Sequence, residues 1–225
     1  MRIDILTVLP ELFESPLQHS IMKRAQEKGV VEIHVHNLRD YAVNKYGQVD
    51  DYPYGGAAGM VLMPEPLSKW IEQLQSERQY DEVVFLTPDG EPTRQSHVNK
   101  LSLSQNLLII SGRYKGIDQR IRDKYVTLEL SIGDFVVTGG ELPTALLIDG
   151  IVRLIPSVLS NEESALSDSF QDGLLAPPVY TRPVEFKGMK VPDVLLSGNH
   201  AEIEKWQLSE AERLTKEKRP DLLRD

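Results

Sequence analysis

The chain has 225 residues, 40% hydrophobic and 26% charged, enough to bury one substantial core and a small second domain of a soluble globular protein. It has no cysteine, which excludes disulfides, thiolate metal sites, cysteine nucleophiles and any base methylation that begins with a cysteine adduct. A formal net charge of −9 argues against a protein that coats nucleic acid nonspecifically, while leaving room for a local basic site.

Arg2–Leu9 alternates loosely before Pro10 and reads as a strand; Asp4 interrupts its apolar stretch and no small-residue cleavage site follows, so it makes a poor signal peptide. No apolar run approaches the roughly 20 residues that span a bilayer. A cytoplasmic protein without a membrane partner is expected. Ser15–Lys28 opens with Ser-Pro and stops at Gly29, the marks of a helix, and Val31–Leu38 alternates cleanly as a second strand. Together they predict a β-α-β unit.

A polar, glycine-rich loop at Asp50–Gly59 precedes Pro66–Arg78, whose Leu67, Trp70, Ile71 and Leu74 have the spacing of an amphipathic helix. Asp81–Leu86 and Asn106–Ser111 are short apolar runs closed by turn residues and read as buried parallel strands. Alternation returns from Tyr125 to Leu130, breaks at Ser131-Ile132-Gly133-Asp134, resumes at Phe135–Thr138 and stops at Gly139-Gly140. Glu141–Ile155 is apolar around most of its circumference, which predicts a helix buried on several sides, in a core or a subunit interface.

From about Pro156 to Pro178 periodicity fades, with Asn161–Ser164 and Asp172-Gly173 as loop markers. A domain boundary belongs there, which divides the chain into residues 1–157, a linker 158–175 and residues 176–225. His200–Lys218 then reads as a long helix. The C-terminal third carries Arg182, Lys187, Lys190, Lys205, Arg213, Lys216, Lys218 and Arg219 with acids interleaved, which by itself describes a solvated mixed-charge face better than an RNA-binding patch.

Neither a Gly-x-Gly-x-x-Gly turn after a strand nor a P-loop is present, so a dinucleotide Rossmann enzyme and a P-loop NTPase are disfavoured. Instead, turn-rich segments follow or interrupt the strands at Leu86–Gly90, Ser111–Gly116 and Ser131–Phe135. In an open parallel sheet, ligands collect at the C-terminal strand ends, where glycines permit close approach. Each segment alone is also what any α/β domain needs for its turns.

Read with Gly139-Gly140-Glu141-Leu142-Pro143, and in order with Pro10–Phe13, Asp51–Gly56, Gly59-Met60, Arg153–Pro156, Asp168-Ser169-Phe170, Tyr180–Pro183 and Val194–His200, these segments resemble the TrmD family. Its members are bacterial tRNA (guanine-N1)-methyltransferases of the SPOUT superfamily. The resemblance implies an α/β fold: a parallel sheet with a deep trefoil knot, plus a small, mainly helical C-terminal domain. It implies S-adenosylmethionine as methyl donor, guanosine 37 of tRNA as acceptor, and a homodimer whose C-terminal domain grips the anticodon stem-loop.

Carried over residue by residue, the family's cofactor contacts fall on Phe85, Leu86, Thr87 and Pro88, on Gly112 and Tyr114, on Ile132, Gly133, Asp134, Phe135, Val136 and Val137, and on Gly139, Gly140 and Pro143. Asp168 takes the role of general base and Arg153 that of the cation beside guanine O6. Read without the family, Asp168 is a helix N-cap or linker carboxylate and Arg153 an ordinary interfacial arginine. Arg182, Lys187, Lys190, Ser197, Asn199 and His200 are expected tRNA contacts, although Asn199-His200 also reads as a cap for the last helix.

Two departures stand out. Lys115 replaces the family's usual glutamate, and either faces tRNA phosphates or pairs with an acid such as Asp118; Ala57 and Ala58 replace glycine-type positions. Family activity is associated with magnesium, but no ligand cluster of metal-site spacing appears: Asp50-Asp51 and Glu162-Glu163 read as solvated acid pairs. The competing expectations are another SPOUT RNA methyltransferase, acting on a ribose or a different base, and a catalytically inactive RNA-binding relative.

Overall fold

The computed structural model describes residues 1–159 and 168–223. The chain forms two compact units, Met1–Ser160 and Asn161–Asp225. The Asn161–Ser164 marker and the Glu162-Glu163 pair lie outside the described residues.

In chain order the first unit contains β1 (Arg2–Thr7), α1 (Glu14–Leu17), α2 (Ser20–Glu27), β2 (Glu32–Asn37), β3 (Asp50–Asp51), β4 (Val61–Leu62) and α3 (Pro64–Glu77). It continues with β5 (Glu82–Pro92), α4 (Gln95–Ser102), β6 (Asn106–Ser111), α5 (Gln119–Tyr125), β7 (Leu128–Ser131) and α6 (Glu141–Val152). Five strands form one sheet in the order β2-β1-β6-β5-β7, every neighbour parallel. The expected parallel α/β architecture is therefore present.

Successive residues of each strand enter opposite cores, because strand side chains alternate. On one face Ile3, Ile5, Val84, Leu107 and Ile109 pack with Met22 and Ala25 of α2, Val98 of α4 and Leu147, Ile148 and Ile151 of α6. On the other, Leu6, Val83, Phe85, Leu108 and Ile110 pack with Leu67, Ile71 and Leu74 of α3 and with Ile121 of α5. The sheet is thus covered on both sides, and its ligand-accessible margin is where the strands end.

Several expectations shift. The single helix over Ser15–Lys28 is two, because Ser20 takes φ +53, which no continuous helix accommodates. Tyr125 ends α5 instead of opening a strand, and β7 starts at Leu128. Phe135–Thr138 is not a strand: it runs as an irregular loop between β7 and α6. The helices α4 and α5 had no counterpart in the sequence reading.

The second unit contains a two-stranded ribbon, β8 (Glu185–Phe186) with β9 (Met189–Lys190), then α7 (Asp193–Leu196) and α8 (His200–Lys218). The α8 boundaries are those expected. Asn199 caps the helix by accepting a long hydrogen bond (3.5 Å) from the Glu202 amide, which bears out the capping reading of that residue.

Candidate active site

The margin formed by the C-terminal ends of β5, β6 and β7 encloses a cavity of about 240 Å³. Three local features open it. First, β5 pairs with β7 at Leu86↔Leu130 and again at Glu91↔Leu130, so residues 87–90 loop out of the ladder. Thr87 and Pro88 thereby stand over the cavity. A Cβ on Gly90 would lie 2.7 Å from Leu130 backbone atoms, so the return of this loop requires glycine.

Second, the chain leaving β6 turns through Gly112 and Tyr114. A Cβ on Gly112 would meet the Phe85 ring at 2.7 Å, and Tyr114 holds φ +59, an uncommon conformation of the kind that clusters at ligand sites. Third, the segment after β7 comes back to β6. The Gly140 amide donates to the Gly112 carbonyl at 2.7 Å, and a Cβ on Gly140 would fall 2.8 Å from the Gly112 nitrogen and 3.0 Å from the Ser111 Cα. Both obstacles are backbone and cannot rotate away.

Of the fifteen residues carried over as cofactor contacts, thirteen line this one cavity. Gly133 and Asp134 do not. Gly133, at φ +147, turns the chain so that the Phe135 ring folds back over it, and Phe135 takes the lining place.

The sequence reading missed Arg113, Gly116, Leu130, Ser131 and Thr138 in the lining; Lys115, noted there only as a departure from the family, also lines the cavity. It also missed Glu141, which is 2% exposed at the first turn of α6, accepts from the Thr7 hydroxyl at 3.0 Å and pairs with Arg113 at 3.3 Å. A carboxylate at a helix N-terminus is favoured by the helix dipole, and this one ties α6 to β1 while orienting Arg113. Beside it, Ser111 and Thr144 share a buried hydrogen bond of 2.9 Å. A Glu directly after Gly-Gly, opening an apolar helix, was the available signal.

Arg122 braces the cavity from behind. Its guanidinium sits 5.5 Å from the Phe85 ring centroid and pairs with Glu129 at 2.6 Å and Asp89 at 2.8 Å. Hydrogen bonding to Glu129 and Asp89 outweighs burial and raises the Arg122 pKa, so its charge is fixed. Asp89 also accepts from Thr87. The looped-out 87–90 segment is therefore pinned at both its hydroxyl and its carboxylate.

Lys115 does not pair with Asp118, because Asp118 is engaged by Arg120 at 2.8 Å and caps α5. Ala57 and Ala58 avoid left-handed φ, which this loop confines to Gly55, Gly56 and Gly59.

Arg153 forms the C-cap of α6 in the first unit. Asp168 lies in the second, in a turn where the Ser169 hydroxyl accepts from the Ala176 amide at 2.9 Å and no helix starts. The N-cap reading of Asp168 is thereby corrected. Among the expected tRNA contacts, Lys190 faces Glu185 at 3.8 Å, Lys187 lies over the Phe186 ring, and Ser197 donates to the Val194 carbonyl. Lys205, Arg213 and Arg219 are engaged by Glu202, Glu210 and Asp221, in line with the mixed-charge reading.

Among the described residues no group of three or more His, Asp or Glu side chains could hold a metal ion, and no helix is long and apolar enough to cross a membrane.

The whole chain, residues 1–225, matches the family model described as "tRNA (Guanine-1)-methyltransferase TrmD". Proteins named tRNA (guanine-N(1)-)-methyltransferase from Christiangramia forsetii, Bacteroides thetaiotaomicron and Bacteroides fragilis are 59%, 61% and 60% identical to it, each over 100% of both chains. The chain therefore belongs to the TrmD family of tRNA (guanine-1)-methyltransferases.

Proposed function

We propose that this protein transfers a methyl group from S-adenosylmethionine to N1 of guanosine 37 in tRNA. Family membership over the full length carries the reading. The cavity fits the cofactor's chemistry: glycines let the backbone approach a folded nucleoside, Leu86, Ile132 and Val137 give apolar walls, and Arg113 and Lys115 supply polar charge. When bound, S-adenosylmethionine supplies the electrophilic methyl group.

Guanine N1 carries a proton in the neutral base, and its removal spreads negative charge onto O6. In this reading the Asp168 carboxylate takes that proton, which frees the N1 lone pair to receive the methyl group that S-adenosylmethionine would supply, and the Arg153 guanidinium steadies O6.

The return of the post-β7 segment to Gly112, beyond β5, supports a knotted connection between β6 and α6. Leu142 (65% exposed) and Leu146 (61% exposed) on the largely buried α6 support a homodimer that covers them. Residues 1–157 then carry the methyl donor and residues 176–225 hold the anticodon stem-loop in the cytoplasm, with residues 158–175 as the linker.

The test uses labelled methyl donor and tRNA transcripts bearing guanosine or adenosine at position 37. Only the guanosine transcript is expected to gain 1-methylguanosine, and Asp168→Asn is expected to abolish transfer while binding the donor normally. Equal methylation of both transcripts, or a wild-type single-turnover rate in the variant, would refute the reading.

A further inference from the structure

We propose that Lys115 holds the carboxylate of the cofactor's amino-acid tail, and that the pocket recognises this tail by one cation. The proposal rests on the cavity being the cofactor site.

Charge distribution carries it. Arg113 and Lys115 are the only charged residues in the lining. Arg113 is already matched by Glu141 at 3.3 Å. Lys115 has no carboxylate within ion-pair distance among the described residues, since Asp118 is held by Arg120. The cavity thus offers one unmatched positive charge and no acid. A zwitterionic amino-acid tail entering it finds a partner for its carboxylate there and none for its ammonium.

The lysine is also held in place. Its amide donates to the Met60 carbonyl at 3.0 Å, and the next residues join β4 through the Leu62 amide to the Gly116 carbonyl and the Asp118 amide to the Leu62 carbonyl, both 3.0 Å. Its aliphatic stem runs over Gly59: a Cβ there would lie 2.9 Å from Cγ and 3.2 Å from Cε of Lys115. Gly59 itself holds φ +101, a conformation suited to glycine. A stem laid along backbone limits the rotamers of an otherwise flexible side chain that lines the cavity, so its ammonium has less entropy to lose on pairing.

A tRNA phosphate would also attract an exposed lysine. The cofactor carboxylate is favoured because Lys115 lines the same cavity as the nucleoside-sized apolar walls, and because that cavity holds no other unmatched charge.

Isothermal titration of the full-length protein tests this with two probes, S-adenosylhomocysteine, which keeps the tail, and methylthioadenosine, which lacks it. Lys115→Met is expected to weaken S-adenosylhomocysteine about fivefold to tenfold, the effect of one charge-assisted hydrogen bond at a partly exposed site. Methylthioadenosine affinity is expected to stay unchanged, and Lys115→Arg to retain most of the S-adenosylhomocysteine affinity.

Equal losses for both probes would make Lys115 a structural residue and overturn the proposal. Unchanged S-adenosylhomocysteine affinity together with weaker tRNA binding would overturn it in favour of a phosphate contact. If the wild-type protein bound neither probe, the cofactor-site reading itself would fall.

Discussion

Glu141 gives the sharpest test of how the cavity is built. Replacing it with glutamine keeps the shape of the side chain but removes the charge that faces Arg113 at 3.3 Å and changes one of the two oxygens that meet Arg113 and Thr7. Breaking a buried ion pair by deleting one partner destabilises by about 3–5 kcal/mol. Arg113 keeps 21% of its side chain exposed. Water therefore recovers part of its solvation, and about 2–3 kcal/mol is the expected loss, a drop in Tm of about 4–12 °C for a domain of this size.

Melting is followed by tryptophan fluorescence in a Trp206→Phe background. The signal then comes from Trp70 in the first unit alone, because the chain has two tryptophans. A cycle with Arg113→Met separates the pair from its surroundings: once the arginine is neutral, removing the carboxylate charge matters less, and a coupling of about 1–2 kcal/mol is expected for residues in direct contact. A Tm within about 1 °C of wild type for Glu141→Gln, or additive effects in the cycle, would refute the assignment of Glu141 as the strut between α6, β1 and the cavity.

Gly140→Ala places a Cβ 2.8 Å from the Gly112 nitrogen, so the segment after β7 must move away from β6. It is expected to lose about 1–3 kcal/mol of stability and more than about tenfold in S-adenosylhomocysteine affinity; titration within about twofold of wild type would contradict the close-approach account. Asp4, fully buried on β1, pairs with His36 at 2.7 Å, with Tyr80 at 2.8 Å and with Arg2. Burial opposes its ionisation, but hydrogen bonds from His36, Arg2 and Tyr80 win and hold its carboxyl well below the usual range. A depressed carboxylate contributes stability above its unfolded pKa of about 4 and loses it as pH falls toward the folded value. The stability gap between wild type and Asp4→Asn, read from urea midpoints, is therefore expected to be wide at pH 7 and to narrow below about pH 4; a gap independent of pH would refute the charged network.

The parts of the fold that were legible in the sequence are those where a single periodicity ran unbroken. Leu107–Ile110 is an unbroken apolar run because β6 is central and both its faces are covered, and the strand Asn106–Ser111 around it was found to the residue. His200–Lys218 was found too, since Asn199 marks its start and no glycine or proline interrupts it before Lys218. The short helix α5 was not. Its seven residues bury only Ile121 and Tyr125, and the alternation of Val126–Leu130 extended the apparent strand back over its last residue, Tyr125. The break at Ser20 was equally hidden, because a left-handed serine has no compositional signature in a sequence that otherwise reads as helix.

The site followed a different logic. Turn segments at strand ends suggested where a ligand would sit, but each was also an ordinary turn, and the residue assignments came from family resemblance. What the folded chain adds is the reason for the residue types. Gly112 and Gly140 are glycines because backbone and ring atoms occupy the space of a Cβ, and Phe85 is aromatic because it stacks between Gly112 and Arg122. Glu141 is buried because it must reach both Thr7 and Arg113. None of these pairings is close in sequence: Glu141 is 134 residues from Thr7. A linear reading sees composition near each residue, and the chemistry of this cavity depends on atoms that only the parallel sheet brings together.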